Sequence, residues 1–197
     1  MNSTDICNMA LSSIGQGRIV SMEESSEAAR QCKIYYDHLR QTLLLDFPWN
    51  FAARSAKLAR LETEVPGWSE VYAYPNACLA IRQIYDRDSA GRKMDEYAEY
   101  SMATVNDSTR VICTEIENAW ADYTADIENA QLFSPDFTEA LMRALASALA
   151  MPLSGSASMQ QSQYQMMQAA LFRAQRSSAI EEHHSPEYPT KYFDARE

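Results

Sequence analysis

Five acidic residues lie close together between positions 115 and 128 and are suited to acid–base chemistry. They are Glu115, Glu117, Asp122, Asp126 and Glu128. Glycoside hydrolysis, for example, needs two carboxyl groups that face each other across a cleft and differ in pKa. Glu115 and Glu117 would share one face of a strand, because alternate side chains of a strand point the same way. Nothing in the sequence specifies a cleft around them, so a solvated acidic edge is expected.

Histidine, the usual general base, occurs only at His38, His183 and His184. His38 lies on the polar side of a predicted helix, where a solvated side chain is expected. His183 and His184 adjoin Glu181 and Glu182, but adjacent histidines in an extended segment seldom point toward one metal ion. The five glycines form no cluster at a helix start, so no nucleotide site is expected. The sequence therefore predicts no catalytic, cofactor or metal site, and the chain is not expected to be an enzyme.

The four cysteines, Cys7, Cys32, Cys78 and Cys113, are far apart and never occur as Cys-x-x-Cys. Neither a disulfide framework nor a zinc site is expected from that spacing. The N-terminal residues lack the basic and apolar regions of a signal peptide. No apolar run approaches the roughly 18 residues that span a bilayer, so no membrane partner is expected. A reducing cytoplasm is the expected place of synthesis.

The chain is acidic, with 17 basic and 27 acidic residues and a net charge of −10. Because sequence-independent DNA binding needs clustered positive charge, stable binding of nucleic acid is not expected. The segment between Glu139 and Glu181 differs, since it has no acidic residue and carries +3 from Arg143, Arg173 and Arg176, which leaves −13 elsewhere. Chance would explain this contrast. The functional interpretation is that these helices contact the acidic flank of another copy or another protein.

Two helices are predicted in the first 50 residues. Ser3 or Thr4 begins the first helix, and its apolar stripe stops before Gly15. Ser25 or Ser26 begins a long second helix, whose apolar residues recur at spacings of three and four. These residues are Ala29, Cys32, Tyr36, Leu39, Leu43 and Phe47.

The stretch "FPWNFAA" predicts a corner at the end of the second helix. Pro48 has no backbone donor and restricts the residue before it, so the helix should end near Phe47. Trp49 and Phe51 follow at the point where the chain changes direction. Such a corner is expected to be a packing device, with Trp49 largely buried.

The residues from 51 to 127 predict a small antiparallel sheet inserted between helices. The strand segments are rich in β-branched and aromatic residues, and turn residues such as Gly67, Asn76 and Gly91 separate them. These segments are 78–85, 97–105, 110–116 and 119–125. Residues 51–61 suit either a strand or a helix.

Helical periodicity returns at Ser134, a good N-cap, and continues until Met151 and Pro152. A further helix is predicted from about 158 to 178, antiparallel to the first because the link is short. Its expected inward residues are Tyr164, Met167, Leu171 and Ala174. The predicted fold is mainly α with a small β part (α+β). In one domain, 1–180, a helical bundle of 1–50 and 130–180 carries the sheet insertion 51–127, and an extended tail follows at 181–197.

Four stretches, in this order, resemble the tail tubular protein A family, the head-to-tail adaptors of short-tailed bacteriophages. They are "ICNMALSSIG", "SSEAARQCKIYYDHLRQTLLLDFPWNFA", "YAYPNACLAI" and "FSPDFTEALMRALASALAMPLSGSASM". The most specific parts are the E-A-A-R start of the long helix, the P-W-N-F corner, and F-x-E-A-L followed by L-A-x-P-L-x-G. The resemblance covers roughly residues 3–179 and is thinnest between Tyr85 and Ile116.

The resemblance implies a structural role in the virion, after synthesis in the bacterial host. Family members form a ring, usually of twelve copies, that joins the portal protein at the capsid vertex to the tail nozzle protein. DNA leaves through the ring without specific binding. The resemblance also implies that Pro48, Trp49 and Phe51 form a structural hinge between bundle and sheet, and that the tail docks on the portal. The residues of that tail with suitable aromatic and proline side chains are Tyr188, Pro189, Tyr192 and Phe193.

Two alternatives stay open at this point. One is a virion-associated cell-wall hydrolase that uses the carboxylates of Glu115 and Glu117 or of Asp122 and Asp126. The other is a helical interaction module of a cell. The mass of the particle, activity on peptidoglycan and binding to a portal would distinguish these classes.

Overall fold

The computed structural model describes residues 1–94 and 98–181. The predicted portal-docking residues Tyr188, Pro189, Tyr192 and Phe193 lie outside this range, as do His183 and His184. Within it the chain forms an α+β fold, with 46% helix, 22% strand and a curled antiparallel half-barrel. The expected fold, a helical bundle with a small inserted sheet, is therefore wrong. The reason is that the strands are more numerous than expected and enclose apolar cores of their own.

The described helices lie at the two ends of the chain and the strands lie between them. The helices are α1 (Ser3–Ser13), α2 (Glu27–Asp46), α3 (Pro135–Ser154) and α4 (Ala157–Glu181). The strands are β1 (Ala53–Lys57), β2 (Glu70–Ala73), β3 (Cys78–Arg87), β4 (Lys93–Met94), β5 (Tyr100–Val105), β6 (Thr109–Thr114) and β7 (Trp120–Ala125). Short 3-10 turns at Asn50–Ala52 and Ala130–Leu132 lead into and out of the strand region.

The strands of the described residues form two antiparallel sheets. The first has the order β1-β7-β3-β4 and the second has the order β2-β6-β5. The residues after β1 connect them, because the Leu58 amide donates to Ala119 O (2.9 Å) and the Leu61 amide donates to Val71 O (2.8 Å). The same run of chain thus pairs first with one sheet and then with the other, which curls the whole into a half-barrel.

The helix starts follow the local chemistry, with one correction. Ser26 and Ser134 cap α2 and α3, as predicted. The cap of α1 is Asn2, however, and not Ser3 or Thr4. The Asn2 side chain accepts from the Asp5 amide, and the Asp5 carboxylate accepts from the Asn2 amide, each at 2.8 Å. This reciprocal pair satisfies two amides that the helix leaves free.

The expected end of α3 at Pro152 is also wrong, because α3 continues to Ser154. A proline in a helix removes one amide donor and crowds the preceding turn. Here only two residues of helix follow Pro152, so few of the helix's hydrogen bonds are affected. The actual stop is Gly155, whose φ of 65° suits glycine and whose amide donates to Met151 O at 3.0 Å.

Helix α4 packs against α3 through small residues, including Ala170 and Ala174, which are 2% and 1% exposed. The expectation that Tyr164 points inward is wrong, since Tyr164 is 45% exposed. Its neighbour Gln163 is buried instead, and donates to Ser13 O at 3.3 Å. A buried glutamine with its amide paired thus occupies the position where periodicity predicted an aromatic ring.

Within residues 1–94 and 98–181, three apolar clusters stabilise these layers. The first lies among the helices and includes Trp49, Phe137 and Leu145. The second fills the inside of the half-barrel, with Ile84 and Ile112 among its members. The third covers the other face of the second sheet, where partly buried residues that include Leu61, Val65 and Trp68 pack on it.

Candidate functional site

The corner after α2 is a packed joint between helices and sheet. Trp49 is fully buried, as predicted, and its Nε1 donates to Leu43 O at 2.7 Å. That hydrogen bond satisfies the indole N–H, which burial would otherwise leave unpaired. The ring contacts Phe47 and Phe137 edge to face, with centroids 5.2 and 5.1 Å away. Pro48 ends α2 at the predicted place, since α2 stops at Asp46.

The end of α4 is fixed to the same corner. The side-chain Nδ2 of Asn50 donates to Ser178 O at 2.7 Å and lies 3.4 Å from the Glu181 carboxylate. Phe51 packs edge to face on Phe137 of α3, with centroids 5.0 Å apart. The corner therefore contacts both of the C-terminal helices, across more than 80 residues of sequence.

A buried ion pair makes a second joint between the helices and the first sheet. Arg40 of α2 is 1% exposed, and its guanidinium donates to the Asp126 carboxylate, directly after β7. It also donates to Ile127 O at 2.8 Å, and Gln41 donates to Asp126 at 2.7 Å. Burial alone would lower the pKa of Arg40, but the Asp126 carboxylate raises it above its ordinary value. The sequence interpretation missed this pair, because Asp126 was assigned to a solvated edge.

The carboxylates that the sequence grouped together have separate partners in the structure. Glu115 follows the end of β6 at Thr114, so Glu115 and Glu117 do not share a strand face. Glu115 accepts from the Ser69 hydroxyl at 2.6 Å, whereas Asp126 binds Arg40. Glu117 and Glu128 are exposed. Among the described residues these acids do not form one pair across a cleft.

The outward face of α4 combines exposed apolar and basic side chains. Phe172 and Ile180 are each 69% exposed, and the side chains of Arg173 and Arg176 are also exposed. Phe172, Arg176 and Ile180 are spaced by four residues, so they lie on the same side of the helix. Arg143 is different, because its Nε donates to Glu139 at 2.8 Å and its Nη1 donates to Gln163 at 3.1 Å. Arg143 therefore forms an ion pair with Glu139 of α3 and connects α3 to Gln163 of α4 within the same chain.

A crevice lies between the corner and the outer face of the first sheet, and sequence reasoning did not find it. Its volume is about 560 Å³. Its lining comprises Pro48, Asn50, Ala53, Arg54, Ser55, Arg82, Gln83, Asp122, Tyr123 and Thr124. These residues come from β1, β3, β7 and the corner, so no local motif could have indicated them.

Two residues that line this crevice, Ser55 and Asp122, form its polar floor and belong to a hydrogen-bonded network. Tyr85 is fully buried, with its hydroxyl 2.6 Å from the Ser55 hydroxyl and 2.9 Å from the Asp122 carboxylate. Lys93 donates to Asp122 at 2.6 Å. Arg87 donates to Ser55 at 3.0 Å and lies over the Trp120 ring, 4.0 Å from its centroid.

The network holds the Asp122 carboxylate in its ionised form. Burial alone would raise the pKa of Asp122, but hydrogen bonds from Lys93, Tyr85 and Ser55 lower it below its ordinary value. The positive charge of Lys93 also offsets the negative charge of Asp122. The floor is therefore polar, and its Asp122 carboxylate forms an ion pair with Lys93.

Of the three histidines, only His38 lies within the described residues. His38 is exposed on α2. In residues 1–94 and 98–181, no group of three histidine, cysteine or acidic side chains is placed to hold a metal ion. No helix within those residues is long and apolar enough to cross a bilayer.

The comparisons with known proteins leave the family of this chain open. No family model matches the sequence, and the comparison with curated proteins found no significant match. The resemblance of the four sequence stretches to the tail tubular protein A family therefore stays a prediction.

Proposed function

We propose that this protein is a structural head-to-tail adaptor of a bacteriophage, which forms a ring below the portal protein and joins it to the tail nozzle protein. The observation that carries the proposal is the outward face of α4. Phe172 and Ile180 are exposed apolar side chains on one side of a helix, and a contact with another protein would bury them. Arg173 and Arg176 beside it supply positive charge on a chain that is otherwise acidic.

The outward face of α2 has complementary properties. Ile34 and Leu45 are 62% and 44% exposed, and they lie on one side of the helix because they are three turns apart. The side chain of Asp37 on the same side is 73% exposed. In a contact between two copies, Phe172 and Ile180 of one copy would pack on Ile34 and Leu45 of the next. Arg173 and Arg176 would then lie near Asp37 of that next copy. A contact between two different faces of identical chains generates a ring when the rotation closes.

The net charge suits a channel through which DNA passes. Each copy carries −10, so a ring of twelve would carry roughly −120. Acidic side chains repel the phosphates of DNA, and they release no condensed counterions from it. The lumen would therefore let DNA pass without specific binding.

The C-terminal segment supplies the contact with the portal in this proposal. Its aromatic residues Tyr188, Tyr192 and Phe193 are suitable anchors, and Pro189 reduces the conformational freedom that binding removes. Helix α4 brings the chain to Glu181 beside the corner, from which this segment continues.

The test is to mix the purified protein with the portal protein of the same virus, and to examine the mixture by electron microscopy and native mass spectrometry. A ring of this protein on one face of the portal is the expected result. A protein that stays monomeric and never binds the portal would contradict the proposal. We propose no hydrolase, because Glu115, Asp122 and Asp126 each bind a separate partner within the chain.

A further inference from the structure

We propose that the free protein forms a symmetric dimer, in which strand β5 of one copy pairs antiparallel with strand β5 of a second copy. This inference does not depend on the adaptor role. It depends on how the edges of the two sheets are protected, on the composition of β5 and on the exposed side chain of Met102.

Three of the four sheet edges among the described residues are protected. The edge of a sheet exposes backbone N–H and C=O groups that can pair with another chain, so folded proteins usually cover it, charge it or keep it very short. Residues 59–61 cover β2. Arg54 and Lys57 lie on β1, and β4 has only two residues, one of which is Lys93.

The fourth edge, strand β5, lacks these forms of protection. It pairs with β6 in unbroken register from end to end, and no described strand pairs with its other side. Its sequence, YSMATV, contains no charged residue and no proline. Ser101, Met102 and Thr104 are exposed, so the described part of the chain leaves this strand open to a partner.

A second copy of the chain is the partner that this edge fits. Two copies of one edge strand can pair antiparallel about a twofold axis, because each then supplies the donors and acceptors that the other needs. Each copy has a net charge of −10, so two copies repel each other least at a surface without charged side chains. The pairing also stops at two copies, since residues 59–61 cover β2 at the far edge of each sheet.

The pleat of the strands selects the register of this pairing. Residues directly opposite each other in antiparallel strands point to the same face, so the twofold axis passes through a residue. With the axis at Met102, Tyr100 of one copy lies opposite Thr104 of the other, and aromatic and β-branched side chains form favourable cross-strand pairs. Moving the axis by one residue toward the end of β5 would bring Glu99 opposite Asp107, and these like charges repel.

The same register accounts for the exposed methionine. Met102 is 40% exposed in the single chain, and an axis at this position places it directly opposite Met102 of the second copy. Dimerisation would therefore remove an apolar side chain from water on both copies.

The dimer is a state of the free protein and not a contact of the proposed ring. A cyclic ring repeats one rotation about its own axis, whereas the β5 pairing needs a separate twofold axis. The dimer therefore has to open before a ring forms, and loss of the dimer and loss of the ring are separate results.

The experiment is sedimentation velocity of the full-length protein over a range of concentrations, without portal protein. The mass should rise with concentration from 22.3 kDa to twice that value. Met102→Lys and Met102→Glu should each weaken dimerisation by at least about fivefold, because each places two like charges opposite each other at the axis. A protein that stays monomeric throughout would overturn the proposal.

Mixing the two variants tests the register itself. Equal amounts of Met102→Lys and Met102→Glu should form a mixed dimer, because a lysine then lies opposite a glutamate. Recovery in the mixture would also show that both variants are folded. Met9→Lys is the matched control, since Met9 is 41% exposed but lies on α1, and this variant should dimerise as the unaltered protein does. Unchanged dimerisation in both Met102 variants, or no recovery in their mixture, would refute the pairing through β5.

Discussion

The guanidinium of Arg40 and the carboxylate of Asp126 form a buried ion pair that joins the middle of α2 to the end of β7. Asp126→Ala would leave the Arg40 charge buried beside the exposed Asp37 alone. Removing one partner of a buried pair usually costs about 3–5 kcal/mol of unfolding free energy. We expect a loss of that size by urea unfolding.

Asp37→Ala is the matched control for the ion pair. Its carboxylate also contacts Arg40, at 3.2 Å, but its side chain is 73% exposed. Because exposed ion pairs contribute about 0–1 kcal/mol, this variant should lose much less stability. Equal losses in Asp37→Ala and Asp126→Ala would show that burial does not decide the contribution of the pair.

Trp49→Ala tests the corner. Deleting a fully buried large aromatic side chain costs about 3–5 kcal/mol, and here it also removes the hydrogen bond from Trp49 Nε1 to Leu43 O. Phe172→Ala is the control, because Phe172 is 69% exposed and its removal should change stability by no more than about 0.5 kcal/mol. A loss below about 1 kcal/mol in Trp49→Ala would mean that the corner contributes little to folding.

The Asp122 network predicts a particular dependence of stability on pH. The pKa of Asp122 is lowered in the folded protein, so the folded state binds this proton less readily than the unfolded state does. The stabilisation is therefore present above the unfolded pKa of about 3.9, and it is lost as the pH falls through the folded pKa.

Asp122→Asn removes the titrating group, and Lys93→Met removes a partner that lowers its pKa. Both variants should lose less unfolding free energy than the unaltered protein as the pH falls below about 4. Urea unfolding at several pH values measures this difference. Parallel pH profiles for all three proteins would show that the network does not stabilise the charged form.

Arg173→Glu combined with Arg176→Glu tests the proposed ring contact. Reversal of both charges should weaken assembly on the portal, because the acidic flank of the neighbouring copy would then be repelled. The helical content by circular dichroism should stay the same, since both side chains are exposed.

A charge-matched control for assembly is Arg18→Glu combined with Lys57→Glu. Both residues are exposed and lie outside α4, so this variant has the same net charge but an intact α4 face. It should assemble normally. If both double variants assemble alike, the α4 face is not the contact.

Deletion of residues 182–197 tests the proposed portal contact. Glu181 is retained because it completes α4. The truncated protein should fold with the same melting temperature, and its affinity for the portal should fall at least about tenfold, because the aromatic anchors are lost. Full affinity after truncation would remove this segment from the proposed function.

Local signals in the sequence predicted the helices well. Ser26 and Ser134 begin helices because a hydroxyl can accept from a free amide of the first turn, and this needs no information from distant residues. Pro48 ends α2 for a similarly local reason. The burial of Trp49 also followed from the neighbouring aromatic residues.

The sheet was harder to predict, because its strands are short and paired over long distances. The strands β2 and β4, with four and two residues, were missed. A run so short contains too little alternation to indicate a strand. The pairing of residues 59–61 with β2 connects the two sheets, so the region predicted as a small insertion is a half-barrel.

The crevice and the Arg40–Asp126 pair could not be predicted from spacing. Arg40 and Asp126 are 86 residues apart, and Ser55 and Tyr85 are 30 residues apart. Periodicity assigns a residue to the face of one element but does not indicate which element lies opposite. Asp126 therefore looked like part of an acidic edge until the fold placed it beside Arg40.

The three tryptophans lie in different layers of the fold, so tryptophan fluorescence can follow the unfolding of each layer. Trp49 lies in the helical core, Trp68 packs against the outer cluster of the second sheet, and Trp120 lies under Arg87 on the first sheet. Variants that retain one tryptophan each, with phenylalanine at the other two positions, would emit from one layer at a time. Coincident denaturation curves would show that helices and half-barrel unfold as one cooperative unit, and separated curves would give the order in which the layers open.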